Sequence, residues 1–330
     1  MSVSPRKRAL LAISLLLALV VVSLLVGRVA LPSNALLTLW RSDADPLAVL
    51  IVTELRLPRT VLALLVGAAL GLSGAVLQGL TRNPLAEPGL LGVSSGAALG
   101  AVIAIHTGLA VIWPLATPLL GLAGAFGAAL LTLSLGRGEG VLVLILAGSA
   151  VSGVMFAGTA LALNLAPNPY AAYEISMWLM GSLADRSWDH VWLVAPFLLA
   201  GLLVLAGTGR ALDALSLGEQ QATSLGINLR GLRLQVLLGT ALAVGAATAV
   251  AGAIGFIGLL APHWVRPWVG HEPRRVLGPA TVAGAVLLLA ADIGTRLLPF
   301  AQELKLGVLT VLVGTPFFVS LLLRLRRSAP

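Results

Sequence analysis

The chain predicts an all-α polytopic membrane protein, on three observations. Of its 330 residues, 58% are hydrophobic and only 10% charged, with mean hydropathy +1.01; soluble domains carry about 25% charged residues. A helix needs about 20 apolar residues to cross a bilayer, and the sequence offers nine or ten such stretches. No alternating strand pattern appears, and lipid cannot satisfy open backbone groups, so the crossings are helical.

Taken in order, Arg6-Lys7-Arg8 precedes an apolar run from Ala9 to about Val26. A cleaved signal has an apolar region of about 7–15 residues and a small-residue cleavage site. This run is longer and meets Gly27-Arg28-Val29, so it reads as a retained first span. Residues 31–59 then lie outside, where Asp45-Pro46 resembles a cap with proline at the first helical position, opening a short helix towards Glu54. Span 2 covers about 60–80, with Gly67, Gly71 and Gly74 as a small-residue stripe for close packing. The turn TRNPLAEPG at 81–89 cannot stay helical, because Pro84 and Pro88 each remove a donor.

Spans 3, 4 and 5 follow at about 90–105, 110–135 and 141–165, with a turn at 137–140 between the last two. Residues 170–180 read as an interfacial helix, with Tyr170, Tyr173, Trp178, Trp188 and Trp192 forming an aromatic belt. Span 6 (about 191–207) leads into the longest polar insert and span 7 (about 232–251) leaves it. A short eighth span at 252–266 and two more at 276–293 and 306–323 complete a single domain over 1–330.

With a cytoplasmic N-terminus and ten spans, 14 of the 21 Lys and Arg and 5 of the 13 acids lie inside, which leaves +9 inside against −1 outside. That is the positive-inside bias. The +8 net charge is spread over short loops, which argues against nucleic acid as a partner. Cysteine is absent, which removes disulfides, thiolate nucleophiles and Cys-based metal sites.

The insert at 210–233 reads RALDALSLGEQQATSLGINLRGLR. Ser216 and Glu219 have capping-box spacing, residues 217–225 can run as two helical turns, and Gly226 suits the left-handed residue that ends them. Leu217, Ala222 and Leu225 fall near one face. Two readings stand on the residues alone: a helix that docks on another protein, or a solvated loop folded back on its own spans.

Catalytic chemistry finds little purchase. A P-loop needs Gly-Lys before Ser or Thr, and the two lysines, Lys7 and Lys305, do not follow glycine. His271-Glu272 opens like a zinc-protease helix, but position 275 is Arg, so no metal site is expected. Gly71-Leu72-Ser73-Gly74 fits an intramembrane serine protease pattern, yet His106 and His263 belong to opposite membrane faces, and helix packing explains Ser73 more simply. Ionisable residues within the spans are nearly absent, and Asp292 lies near the outer end of span 9, which argues against an ion-coupled carrier. Gln78 and Asn164 fit either a polar pathway or hydrogen bonds between helices.

Long ordered blocks carry a resemblance: RLPRTVLALLVGAALGLSGAVLQGLTRNPLAEPGLLGVSSGAA at 56–98, LGEQQATSLGI at 217–227, GAIGFIGLLAPHWVR at 252–266, AADIGTR at 290–296 and LGVLTVLVGTPFF at 306–318. Together they resemble the FecCD family, the permease subunits of bacterial ABC importers for iron chelates (siderophores and haem) and cobalamin. The first block is especially similar to cobalamin permeases, but it is family-wide and does not identify cargo.

The resemblance implies a type II importer permease fold of ten helices in the bacterial inner membrane, with both termini cytoplasmic. It implies a non-enzymatic subunit that pairs with a second permease, expected to be a homodimer. The other partners are two ABC ATPases that carry the ATP and Mg, and a periplasmic or lipid-anchored substrate-binding protein; no cofactor is expected on this chain. By resemblance, the coupling segment at 210–231 would seat Leu217, Glu219, Ala222, Leu225 and Gly226 in a groove of the ATPase. Arg56, Arg59 and Arg296 match positions that receive acids of the binding protein; the alternative reading is interfacial anchoring, with Arg56 and Arg59, which flank Pro58, holding the turn. Gln78 and the loop residues Asn83, Pro84 and Leu85 would belong to the pathway and its cytoplasmic gate. The start of span 5 at 137–142 lacks the small hydroxyl residues some members carry there, so no gate is assigned to it. Lys305 stands where proline is usual, so a different outer turn is expected before span 10.

Overall fold

The computed structural model describes residues 5–31, 45–136, 140–300 and 302–328. Among the described residues there are helices and no strands. The helices are α1 (Pro5–Leu25), α2 (Pro46–Thr81), α3 (Val93–His106), α4 (Ala116–Leu135), α5 (Val141–Asn164), α6 (Pro169–Leu179), α7 (Trp188–Ala206), α8 (Gly209–Leu215), α9 (Glu219–Ser224), α10 (Leu229–Ala251), α11 (Ile257–Val269), α12 (Pro273–Leu297) and α13 (Leu306–Ser328). Six of them, α2, α4, α5, α7, α10 and α12, are long and apolar enough to cross a membrane. Three shorter apolar helices lie in α1, α3 and α13.

Helix α2 opens as expected at Asp45, whose carboxylate accepts the Leu47 N–H at 3.0 Å, with Pro46 at the first position. It does not then break. Residues 51–56 widen into a π-turn, with the Leu57 N–H donating to the Val52 carbonyl, and Pro58 follows inside the same helix. The wider turn absorbs a proline that lacks a donor, so the expected outer helix and span 2 are one element.

The bundle centres on α2 and α10, whose membrane windows are 78% buried against 22% for α5. Along α2, the predicted glycine stripe meets backbone. A Cβ at Gly67 or Gly71 would lie closer than 3.0 Å to Gly284 or Ala280 of α12, and one at Gly74 would strike Gly258 of α11. A second such seam joins Gly96 and Gly100 of α3 to Gly124 and Leu120 of α4. Without a hydrophobic drive between helices in lipid, this close approach supplies the dispersion contact that holds them.

Two expectations shift. Residues 252–256 are not helical: Gly252 (φ 73°) packs on the Trp178 carbonyl and Phe256 takes φ 67°, so α11 starts at Ile257 and runs past Arg266. The turn before α4 lengthens, so that helix begins at Ala116, after a single turn at Leu109–Ile112. The interfacial helix appears as α6, capped by the Asn168 side chain on the Ala171 N–H at 2.8 Å, and Trp188 stacks on Trp192. The hairpin residues 137–139 and much of the first outer segment lie outside the described residues.

Valine at Gly71 or Gly74 should lower stability by about 1–3 kcal/mol through overpacking. Valine at Gly153, where an added Cβ meets nothing within 4 Å, should change little. Thermal unfolding of the purified protein in detergent checks the contrast.

Candidate functional site

One end of the bundle carries an ionic cluster that the sequence scatters over nearly 250 residues. Asp292, fully buried on α12, accepts from Arg59 Nε of α2 at 2.9 and 3.2 Å and pairs with Arg296 one turn on. Glu303, in the turn before α13, pairs with Arg59, and the Thr295 hydroxyl donates to the Asp292 carbonyl at 2.7 Å. Arg296 also donates to the Ser23 carbonyl at 2.8 Å, and Arg56 donates to the carbonyls of Leu24 (2.9 Å), Leu25 and Val29. Ser23 and Thr60 share a hydrogen bond of 2.7 Å. These bonds satisfy the open carbonyls at the end of α1 and tie α1, α2, α12 and the turn at 303 into one rim.

The three arginines expected to receive a binding protein are thus engaged within the chain. Arg56 is buried, and the side chains of Arg296 and Arg59 are 4% and 13% exposed. Burial disfavours ionisation of Glu303, but the Arg59 hydrogen bond and charge, with Arg296 and Thr295, outweigh it and hold the carboxyl below its usual range. Lys305 lines a neighbouring cavity of about 520 Å³ with Arg28, Tyr170, Tyr173 and Glu174.

At the opposite end lies the 210–233 insert. Its predicted capping box does not form: the Ser216 hydroxyl donates back to the Asp213 carbonyl at 2.6 Å, and Gly218 (φ 116°) precedes α9 instead. The reason is that α8 runs through Leu215, which leaves Ser216 on its last turn rather than before the next helix. The predicted ending does form. Gly226 takes φ 84°, with the Ile227 N–H on the Ala222 carbonyl at 3.0 Å, as in a Schellman motif. Ala222 is fully buried, while Leu217 and Leu225 are 64% and 63% exposed, so the three do not share one buried face. Glu219 reaches Arg233 at 3.4 Å, which braces α9 against α10.

Beside this insert, α2 ends at Arg82 in the left-handed conformation (φ 51°). The Asn83 side chain accepts the Leu85 N–H at 2.9 Å in a local turn, with Asn83 and Pro84 exposed. Gln78 is buried and bridges helices: its amide donates to the Leu259 carbonyl at 3.4 Å, and its oxygen accepts from Arg266 at 2.7 Å. Sequence reasoning missed Arg266 as a partner, because a contact over 188 residues leaves no local signal. Among the described residues, no cluster of His and acids could hold a metal, and the Ser73 hydroxyl has no hydrogen-bond partner, which leaves it without a general base.

A solved structure described as an inward-facing conformation of an ABC transporter of metal-chelate type superposes with a TM-score of 0.87. It is 32% identical and covers 97% of this chain and 99% of its own. The model of the FecCD transport family matches residues 15–324. The chain belongs to the FecCD transport family. This FecCD protein is 38% identical to the hemin transport system permease protein HmuU of Yersinia pestis over 95% of both chains. It is 37% identical to the Fe(3+) dicitrate transport system permease protein FecD of Escherichia coli over 92% of this chain and 94% of that one. It is 40% identical to the vitamin B12 import system permease protein BtuC of Klebsiella pneumoniae over 94% and 92%. It is therefore an integral membrane permease subunit of the ABC class and not itself an enzyme. Membership implies ATPase and binding-protein partners.

Replacing Asp292 by Asn leaves Arg59 and Arg296 with an uncompensated buried charge and should destabilise the protein by roughly 3–5 kcal/mol. Glu303→Gln, at a partly exposed member of the cluster, should have the smaller effect. Thermal unfolding of both variants in detergent ranks them.

Proposed function

We propose that this chain is the membrane-spanning permease of an ATP-driven importer of iron chelates, haem included, and that it works as a homodimer. In this reading it lies in the bacterial inner membrane with both termini cytoplasmic and crosses ten times, the shorter helices α1, α3, α11 and α13 adding to the six long ones. The charge bias of its loops supports that orientation. The observation that carries the reading is the insert end. A short helix anchored by buried Ala222 offers two exposed leucines, Leu217 and Leu225, outside the apolar bundle. Large apolar side chains held out by a capped turn suit a groove on a soluble ATPase.

ATP binding on two partner ATPases would move α9, with Glu219 and Gly226 keeping its ends in shape, and reset the bundle between outward and inward openings. Gln78 and the loop of Asn83, Pro84 and Leu85 lie at this end and would border the inner mouth. The external binding protein would dock on the opposite rim. Arg56, Arg59 and Arg296 shape that rim through their internal bonds, and the partly exposed Arg59 is the cation nearest to reach for a partner's acid. Cargo passes without covalent chemistry, and ATP and Mg belong to the partner.

Similarity to HmuU and FecD supports iron chelates. A second reading, cobalamin import, is favoured by the 40% identity to BtuC. Competition of labelled haem uptake by ferric dicitrate and by cobalamin, in vesicles holding the whole transporter, separates them.

With the ATPase and binding protein reconstituted, Leu225→Arg should lower cargo-stimulated ATP hydrolysis and uptake at least tenfold while the permease still inserts. Unchanged uptake would overturn the docking role. Vesicles holding this chain alone should accumulate no cargo under any ion gradient.

A further inference from the structure

At the insert end, α2, α11 and the turn into α12 border an open cavity of about 300 Å³. Its wall carries Arg82, Arg266 and His271, one from each of these three elements, and among the described residues no carboxylate lines it. Gln78 Oε1 takes one N–H of Arg266 at 2.7 Å while its own amide is tied to the Leu259 carbonyl, so the guanidinium is held against the wall. A guanidinium has five N–H donors, and this bond uses one. Among the described residues, no acid forms an ion pair with Arg266 or Arg82. The nearby acids are committed elsewhere: Asp213 accepts the Arg274 N–H at 2.9 Å, and Glu272 pairs with Arg275 at 2.7 Å.

The other end of the same two helices makes the contrast. There every buried arginine finds a carboxylate or a row of carbonyls within the chain. Here a partly buried arginine has one neutral amide and faces an open cavity. A cation held out of water without a counter-charge is unfavourable unless an anion completes it. Two guanidiniums and an imidazole converging from three elements suit an acceptor with more than two oxygens, and arginine forks match phosphate geometry. Basic pockets between helices at a membrane's cytoplasmic boundary are also where anionic headgroups bind.

We propose that this cavity binds a phosphate group, presented by an anionic phospholipid headgroup or as free phosphate. The cavity is also lined by Gln78, Pro84 and Ser216, which belong to the proposed inner mouth and coupling insert, but its occupancy is measured without cargo or ATPase, so the two readings fail separately.

The test is calorimetric titration of the purified full chain in detergent, at fixed ionic strength, with short-chain phosphatidylglycerol, short-chain phosphatidylcholine and sodium phosphate. Saturable binding is expected, weakened at least tenfold by Arg266→Gln and by Arg82→Gln and largely recovered by Arg266→Lys. Arg82 is exposed, so its variant carries the test even where Arg266→Gln fails to fold. Phosphatidylglycerol binding that sodium phosphate does not displace identifies a headgroup site; phosphate binding that displaces the lipid identifies free phosphate. Absence of saturable binding, equal binding of phosphatidylcholine, or equal affinity in all variants would overturn the proposal.

Discussion

The backbone of α2 lies directly on that of α12, because Gly67 and Gly71 present no side chain to Gly284 and Ala280. In lipid, two apolar helices gain nothing by hiding from water, so association rests on close dispersion contact and on hydrogen bonds. A glycine seam maximises the first. It also fixes the register of the pair within a fraction of a residue, since any slide would drive a Cβ into a carbonyl. The remaining helices are built outward from this pair and from α10, and the least buried of the six long helices, α5 and α7, stand at the periphery.

Both polar ends hang from this seam. Arg59 and Arg82 of α2 are 23 residues apart, or about 35 Å along a helix, slightly more than the ~30 Å hydrocarbon thickness. At the Arg59 end the antiparallel partner supplies Asp292 and Arg296; at the Arg82 end it supplies Val276 and the turn bearing His271. A fixed register therefore sets which charges meet. It brings an acid to the arginines at one end and leaves the arginines facing a cavity at the other.

The ionic rim also explains how helices of unequal conformation are joined. The π-turn at 51–56 ends on Arg56 and shifts the helix phase ahead of Arg59, and the two guanidiniums reach α1 and α12, respectively. Buried charges of this kind contribute little net stability compared with an apolar core. Their value is orientation: a planar fork satisfied by particular carbonyls and carboxylates admits one arrangement of the helices that carry them.

Much of the molecule was legible in order along the chain, because its determinants are local. Hydropathy and length announce the helices. Asp45 before Pro46 caps α2, Gly226 ends α9, and glycines at 67, 71 and 74 recur at helical spacing, which marks a stripe for close packing; the structure divides it between α12 and α11. Family membership was equally readable from long ordered blocks. What lay beyond the sequence were contacts between distant residues. The arginines at 56, 59 and 296 read as docking or anchoring cations, and only folding brings Asp292 and the end of α1 against them. Ser216 reads as the cap of α9, but α8 runs through Leu215 and makes Ser216 part of its own last turn. Ala222 and Leu225 look alike in a local pattern, and only packing against the bundle buries one and exposes the other. Local backbone propensity and hydrophobicity act over a few residues and can be read from them, whereas the partner of a charge is chosen by three-dimensional proximity alone.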